Sequence, residues 1–284
     1  CGAGAGSATA CPAGTYGSTA NLTTSACTGQ CTAGYYCTAG STSATQNNCV
    51  AGNYCAAASG SATACPAGTY GDSLNLITSA CTGACAAGYY GGTSGQIAVT
   101  CSGACTAGYY CSVGSTTATQ NNCGTGNYCG AGSSGATACP AGTYGSTVNL
   151  TTSSCTGQCA AGRYVDAASQ LTDQCVGACT AGYYCTAGST TATQNNCGAG
   201  KYCPTGSSGV TNCDAGYYGT GLNNTTSSCN GACTAGYYCT AGSSSATQNN
   251  CGAGNYCSAG SSGATVCPAG TYGATAGLTT SACT

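Results

Sequence analysis

The sequence predicts small disulfide-rich tandem repeats: an elongated rod of short β-strands and turns, with almost no helix and no conventional hydrophobic core. Three observations predict it. A phrase of the form Cys-x-Ala/Thr-Gly-x-Tyr returns fifteen times, starting at Cys11, Cys31, Cys49, Cys65, Cys85, Cys105, Cys123, Cys139, Cys159, Cys179, Cys197, Cys213, Cys233, Cys251 and Cys267. A fixed period of this kind marks an array of small units rather than one globule. Cysteine reaches 31 of 284 residues in a chain with no His, the pattern of a disulfide framework made in an oxidising compartment. Large apolar side chains are nearly missing, at 7 Leu, 2 Ile and 8 Val with no Phe, Trp or Met, so burial alone cannot offset an ordering cost of roughly 1–2 kcal/mol per residue.

Cysteine spacing divides the chain. From Cys11 the separations run 16, 4, 6, 12, 6 and 10, a unit of 54 that recurs, twice enlarged by 20 residues at Cys85 and Cys159. The expected repeats are therefore 11–64, 65–138, 139–212 and 213–266, with the end of a truncated repeat at 1–10 and the start of another at 267–284. Cys1 stands ten residues before Cys11, as Cys55 does before Cys65, so its partner is expected upstream.

Within the phrase, Gly holds the fourth position in all fifteen copies, from Gly14 to Gly270, which implies a turn with positive φ or a close backbone approach to a disulfide. Tyr holds the sixth in all fifteen, and every other Tyr (Tyr35, Tyr89, Tyr109, Tyr183, Tyr217, Tyr237) precedes one of these. One ring is expected to pack on a disulfide or a neighbouring module and the second to be exposed. The secondary structure is expected as short strands and turns.

Three connectivities satisfy the spacing: pairing within a phrase (31–37, 49–55), between phrases (27–31, 37–49, 55–65), or crossed (11–27, 31–49, 37–55). Spacing does not choose among them. A one-loop module followed by a two-bridge module resembles the cysteine-rich domains of tumour necrosis factor receptors, and the CPAGTYG and CTAGYYCTAGS phrases more closely resemble ephrin-receptor-like cysteine-rich repeats of large extracellular surface proteins. That resemblance implies one-loop bridges Cys11–Cys27, Cys65–Cys81, Cys85–Cys101, Cys139–Cys155, Cys159–Cys175, Cys213–Cys229 and Cys267–Cys283. It implies crossed bridges Cys31–Cys49 with Cys37–Cys55, Cys105–Cys123 with Cys111–Cys129, Cys179–Cys197 with Cys185–Cys203, and Cys233–Cys251 with Cys239–Cys257. The short spacer at Cys27 to Cys31, the doubled one-loop modules and the lack of charge depart from the receptor pattern.

Chemistry is sparse. Only Lys201, Arg163, Asp72, Asp166, Asp173 and Asp214 ionise near neutrality, giving a net charge of −2, which does not suit a phosphate backbone or an anionic membrane. With no His and no Glu, and with four scattered Asp, no catalytic constellation assembles, so neither an enzyme nor a cofactor is expected. Cys-x3-Cys pairs such as Cys27/Cys31 lack the two-residue spacing of structural zinc sites, and no metal is expected. No run of apolar residues reaches the length of a membrane span. Unequal steps of 16, 18 and 20 argue against a flat ice-binding solenoid. Asn21, Asn149, Asn223 and the overlapping Asn224 begin N-glycosylation sequons, while Asn75 has lost its own because Ile77 replaces Thr. A turn asparagine is the plainer reading of the same residues.

These observations lead to an expected structural component of an extracellular fibre, surface appendage or coat, secreted or at the cell surface, bearing covalent glycans and self-associating into filaments. The alternative is an adhesin or receptor ectodomain. The loops GSTSATQNN, GSTTATQNN and GSSSATQNN are near copies, which favours repeated lateral contact over one unique binding patch.

Overall fold

A computed structural model describes residues 9–20, 22 and 27–283, so Cys1 and Asn21 lie outside the described residues. Strands and turns make up all the regular structure, with no helix among the described residues. Two compact units are present: Cys1–Thr137 with Val148–Thr152, and Ala138–Thr147 with Ser153–Thr284.

Each phrase begins as a β-turn. In most phrases the amide of the fifth residue donates to the carbonyl of the second, as Thr15 does to Pro12, Tyr35 to Thr32 and Asn53 to Val50, each at 3.1 Å. The fourth residue must then take φ > 0, the requirement of a type II turn, and Gly14, Gly34 and Gly52 have φ of 88°, 89° and 82°. Leaving the turn, the fifth and sixth residues of every phrase but the last form a strand of two residues. β1 (Thr15–Tyr16) pairs antiparallel with β2 (Gly29–Gln30), β3 (Tyr35–Tyr36) with β4 (Asn47–Asn48), and β5 (Asn53–Tyr54) with β6 (Thr63–Ala64). The same hairpin continues to Thr265–Val266. Every second strand ends one residue before the next phrase begins. The spacings of 20, 18 and 16 therefore share one hairpin and differ only in the segment joining its strands: 17–28, 37–46 and 55–62.

Successive phrases are stitched by backbone. Between the phrases at Cys31 and Cys49, Gly34 N donates to Cys55 O (2.8 Å), Cys37 N to Ser59 O (3.0 Å), and Ala58 N back to Cys31 O (3.0 Å). The three bonds recur in the first unit as Gly68 N to Gly91 O, Gly71 N to Gln96 O and Gly95 N to Cys65 O. In the second unit they recur as Gly216 N to Cys239 O, Gly219 N to Ser243 O and Gly242 N to Cys213 O. Net stabilisation is about 1 kcal/mol for each such bond, and none of it depends on a large side chain. That independence lets Ala, Thr, Ser and Gly fill the loops.

The buried interior is sulfur. Every buried apolar side chain among the described residues is a cysteine except Val165. Fifteen disulfides close within the described residues. Seven have the one-loop pairing: Cys11–Cys27, Cys65–Cys81, Cys85–Cys101, Cys139–Cys155, Cys159–Cys175, Cys213–Cys229 and Cys267–Cys283. The other eight correct the crossed pairing implied by the receptor resemblance. They join the first and seventh residues of one phrase: Cys31–Cys37, Cys49–Cys55, Cys105–Cys111, Cys123–Cys129, Cys179–Cys185, Cys197–Cys203, Cys233–Cys239 and Cys251–Cys257. The turn supplies the physical reason: it folds the phrase back so that Cα31 and Cα37 lie 5.9 Å apart, within ordinary disulfide reach, and no sulfur is left for Cys49.

Candidate functional site

The repeated feature with chemistry in it is the seam between phrases, and the fourth-position glycine is its tightest point. A Cβ on Gly34 would lie 2.7 Å from Asn75 O, and one on Gly236 would lie 2.7 Å from Gly277 O. In both cases the carbonyl belongs to the phrase two further on. Thus, within each unit, a phrase such as that at Cys31 or Cys233 bonds to its neighbour and backs onto the one after. Positive φ at this glycine was expected, but the close approach is to a backbone carbonyl. The approach to sulfur falls at the seventh position instead, where a Cβ on Gly71 would meet Cys65 Sγ at 2.9 Å and one on Gly91 would meet Cys85 Sγ at 2.7 Å.

That seventh position decides where the first sulfur goes. Where it is Cys, the phrase closes on itself. Where it is Gly17, Gly71, Gly91, Gly145, Gly219, Gly273 or Val165, the first sulfur crosses to a cysteine 16 residues on. In the chain-entropy model a bridge closing about 17 residues stabilises by roughly 3.1 kcal/mol, against roughly 2.4 kcal/mol for one closing about 7. Offsetting that advantage, the distal cysteine of every long bridge is left-handed: φ is 58° at Cys27, 53° at Cys81, 46° at Cys101, 51° at Cys155, 49° at Cys175, 48° at Cys229 and 52° at Cys283. The left-handed region costs an L-residue roughly 1–2 kcal/mol. A side chain one residue later steadies this end: Thr82 Oγ1 accepts from Asp72 N (3.1 Å), Thr156 Oγ1 from Ser146 N (3.0 Å) and Asn230 Oδ1 from Thr220 N (2.7 Å). At Asp72 the Thr82 hydroxyl (2.7 Å) and the Ser73 hydroxyl (2.9 Å) also donate to the carboxylate, holding its pKa below the usual value.

The described sequon asparagines lie in this seam. Asn149 is left-handed (φ 62°), half-buried, and its Nδ2 donates to the Tyr109 hydroxyl at 3.1 Å. Asn75, without a sequon, has φ of 60° at the equivalent place, and its amide N donates to Cys49 O. Turn geometry therefore accounts for asparagine here whether or not a sequon surrounds it. Asn223 is exposed; the amide orientation that satisfies its neighbours puts Nδ2 2.8 Å from Asn196 Oδ1 and lets Oδ1 accept from the Tyr183 hydroxyl at 3.1 Å. Asn224 is buried, with Nδ2 donating to Lys201 O (3.0 Å) and Gly221 O (3.2 Å).

Tyrosine differs from expectation. The sixth-position ring lies over its own hairpin partner, with Tyr16 Cε1 3.5 Å from where a Cβ on Gly29 would stand and Tyr144 Cε1 3.4 Å from that of Gly157. The fifth-position ring is half-buried rather than exposed at Tyr35, Tyr109, Tyr183 and Tyr237, and Tyr109 and Tyr183 reach a loop asparagine two phrases away. Arg163 Nε donates to Gln174 Oε1 at 3.1 Å. Among the described residues no helix is long and apolar enough to cross a membrane. No protein-family model matches the chain, and no curated protein matches it.

Proposed function

We propose that the chain is a structural component of an extracellular fibre, surface appendage or coat, made of repeats of the ephrin-receptor-like cysteine-rich type and exported to an oxidising compartment. The observation that carries the reading is repetition of one surface. The same loop projects at Thr42, Thr116, Thr190 and Ser244, each exposed and each with its backbone N–H donating to a glutamine Oε1 four residues on (Gln46, Gln120, Gln194, Gln248) at 2.8–3.2 Å. A surface offered identically at every repeat suits contact with further copies, because contacts that do not close on themselves generate filaments. Low charge removes the repulsion that would keep copies apart. Covalent glycans belong to the same reading under one condition: the amide nitrogens of Asn149, Asn223 and Asn224 are engaged in the folded chain, so sugar joins before the loop docks. Negative-stain imaging of native material tests the proposal. Filaments with an axial repeat tied to the 54- and 74-residue units are expected. A monodisperse monomer at high concentration that binds one soluble protein or glycan tightly would replace the fibre with the adhesin reading.

A further inference from the structure

Five of the seven long bridges differ in access from the short ones; in Cys267–Cys283 the distal cysteine is buried, and in Cys11–Cys27 both are half-buried. In the short bridges both cysteines are buried, from Cys31 and Cys37 to Cys251 and Cys257. In the five long bridges between Cys65 and Cys229, the first cysteine is 0% exposed (Cys65, Cys85, Cys139, Cys159, Cys213), whereas the distal one (Cys81, Cys101, Cys155, Cys175, Cys229) is half-buried. The residues leading into it are exposed, as at Thr78, Ser79 and Ala80 before Cys81. Each distal cysteine is also held in the left-handed region, whose cost exceeds the small loop-length advantage of the long bridge.

We propose that these five distal cysteines are thiol–disulfide exchange sites for small thiols, and that the short bridges are inert on the same timescale. Exchange rate depends on which sulfur is reached, and exposed or strained bridges are the labile ones. At Cys81 the incoming thiolate forms a bond to Sγ of Cys81 while the bond from that sulfur to Cys65 breaks. Cys65 leaves as a thiolate and takes a proton from water. One disulfide replaces another, so no oxidant is needed. The leaving sulfur stays enclosed against Gly71, where even a Cβ would lie 2.9 Å away. The adduct therefore forms on the exposed side until the enclosed thiolate re-closes the bridge, which places covalent attachment points on both units.

The test uses the intact, oxidised chain. A brief pulse of glutathione is stopped with acid, the chain is unfolded in denaturant and alkylated, and each cysteine is read by mass spectrometry. The expected result is glutathione on Cys81, Cys101, Cys155, Cys175 and Cys229, alkylated thiol on Cys65, Cys85, Cys139, Cys159 and Cys213, and at least tenfold less modification of the short-bridge cysteines. Equal modification of both classes, or faster modification of Cys105/Cys111 and the other short bridges, would overturn the proposal. So would glutathione on Cys65 rather than Cys81.

Discussion

At the scale of single residues, glycine sets the geometry that sulfur then fixes. Gly34 combines φ of 89° with a carbonyl 2.7 Å from its absent Cβ, so two independent costs meet there. Gly34→Ala is expected to lose roughly 1–2 kcal/mol from the left-handed backbone alone, and more from displacing Asn75. Amide exchange at Cys37 and Asn75, whose N–H groups bond across the seam, reports it. Gly252→Ala is the matched control: nothing lies within 4 Å of its Cβ and its φ is not left-handed, so exchange there should be unchanged. Equal protection in the two variants would remove the fourth-position glycine from the account. The requirement for Gly at this position was legible in the sequence. Its cause was not, because the opposing carbonyl belongs to a residue about 40 positions away, as Asn149 does for Gly108.

At the scale of the element, the hairpin explains which parts of the pattern could be read ahead of the structure. Short strands, the near-absence of helix and the common start of each unit follow from the Cys-x-Ala/Thr-Gly-x-Tyr phrase; the described residues have such strands, each two residues long, and no helix. The pairing of Cys31 escaped, because Cys27, Cys37 and Cys49 all satisfied the spacing until the turn brought the first residue of the phrase to the seventh. A signal for it does stand in the sequence: where the seventh residue is Gly or Val a second cysteine stands sixteen residues after the first and before the next phrase begins, and where the seventh residue is Cys no further cysteine precedes the next phrase. The tyrosine that was expected to be free is likewise fixed by a partner two phrases on. Asn223→Ala is expected to remove the hydrogen bonds with Tyr183 and Asn196, at about 1 kcal/mol for each bond lost, whereas Tyr183→Phe removes only the first. Denaturant unfolding with disulfides intact would show the Asn223 variant the less stable of the two. Identical stability would mean that the asparagine only shapes its turn.

For the molecule as a whole, sulfur stands where a hydrophobic core would be. Full reduction and alkylation should therefore abolish protease resistance and the strand signal in circular dichroism, since the seam bonds alone do not offset the chain entropy of residues that bury so little apolar surface. The most direct measurement of the central claim, that each phrase is locked by its own first sulfur according to its seventh residue, is a disulfide map of the unreduced protein. Combined chymotrypsin and elastase cleavage after Tyr36 and Ala44 separates Cys31, Cys37 and Cys49 onto different peptides. The account predicts Cys31 linked to Cys37 and Cys49 to Cys55, alongside Cys65 to Cys81. A peptide joining Cys31 to Cys49, or Cys37 to Cys55, would contradict it.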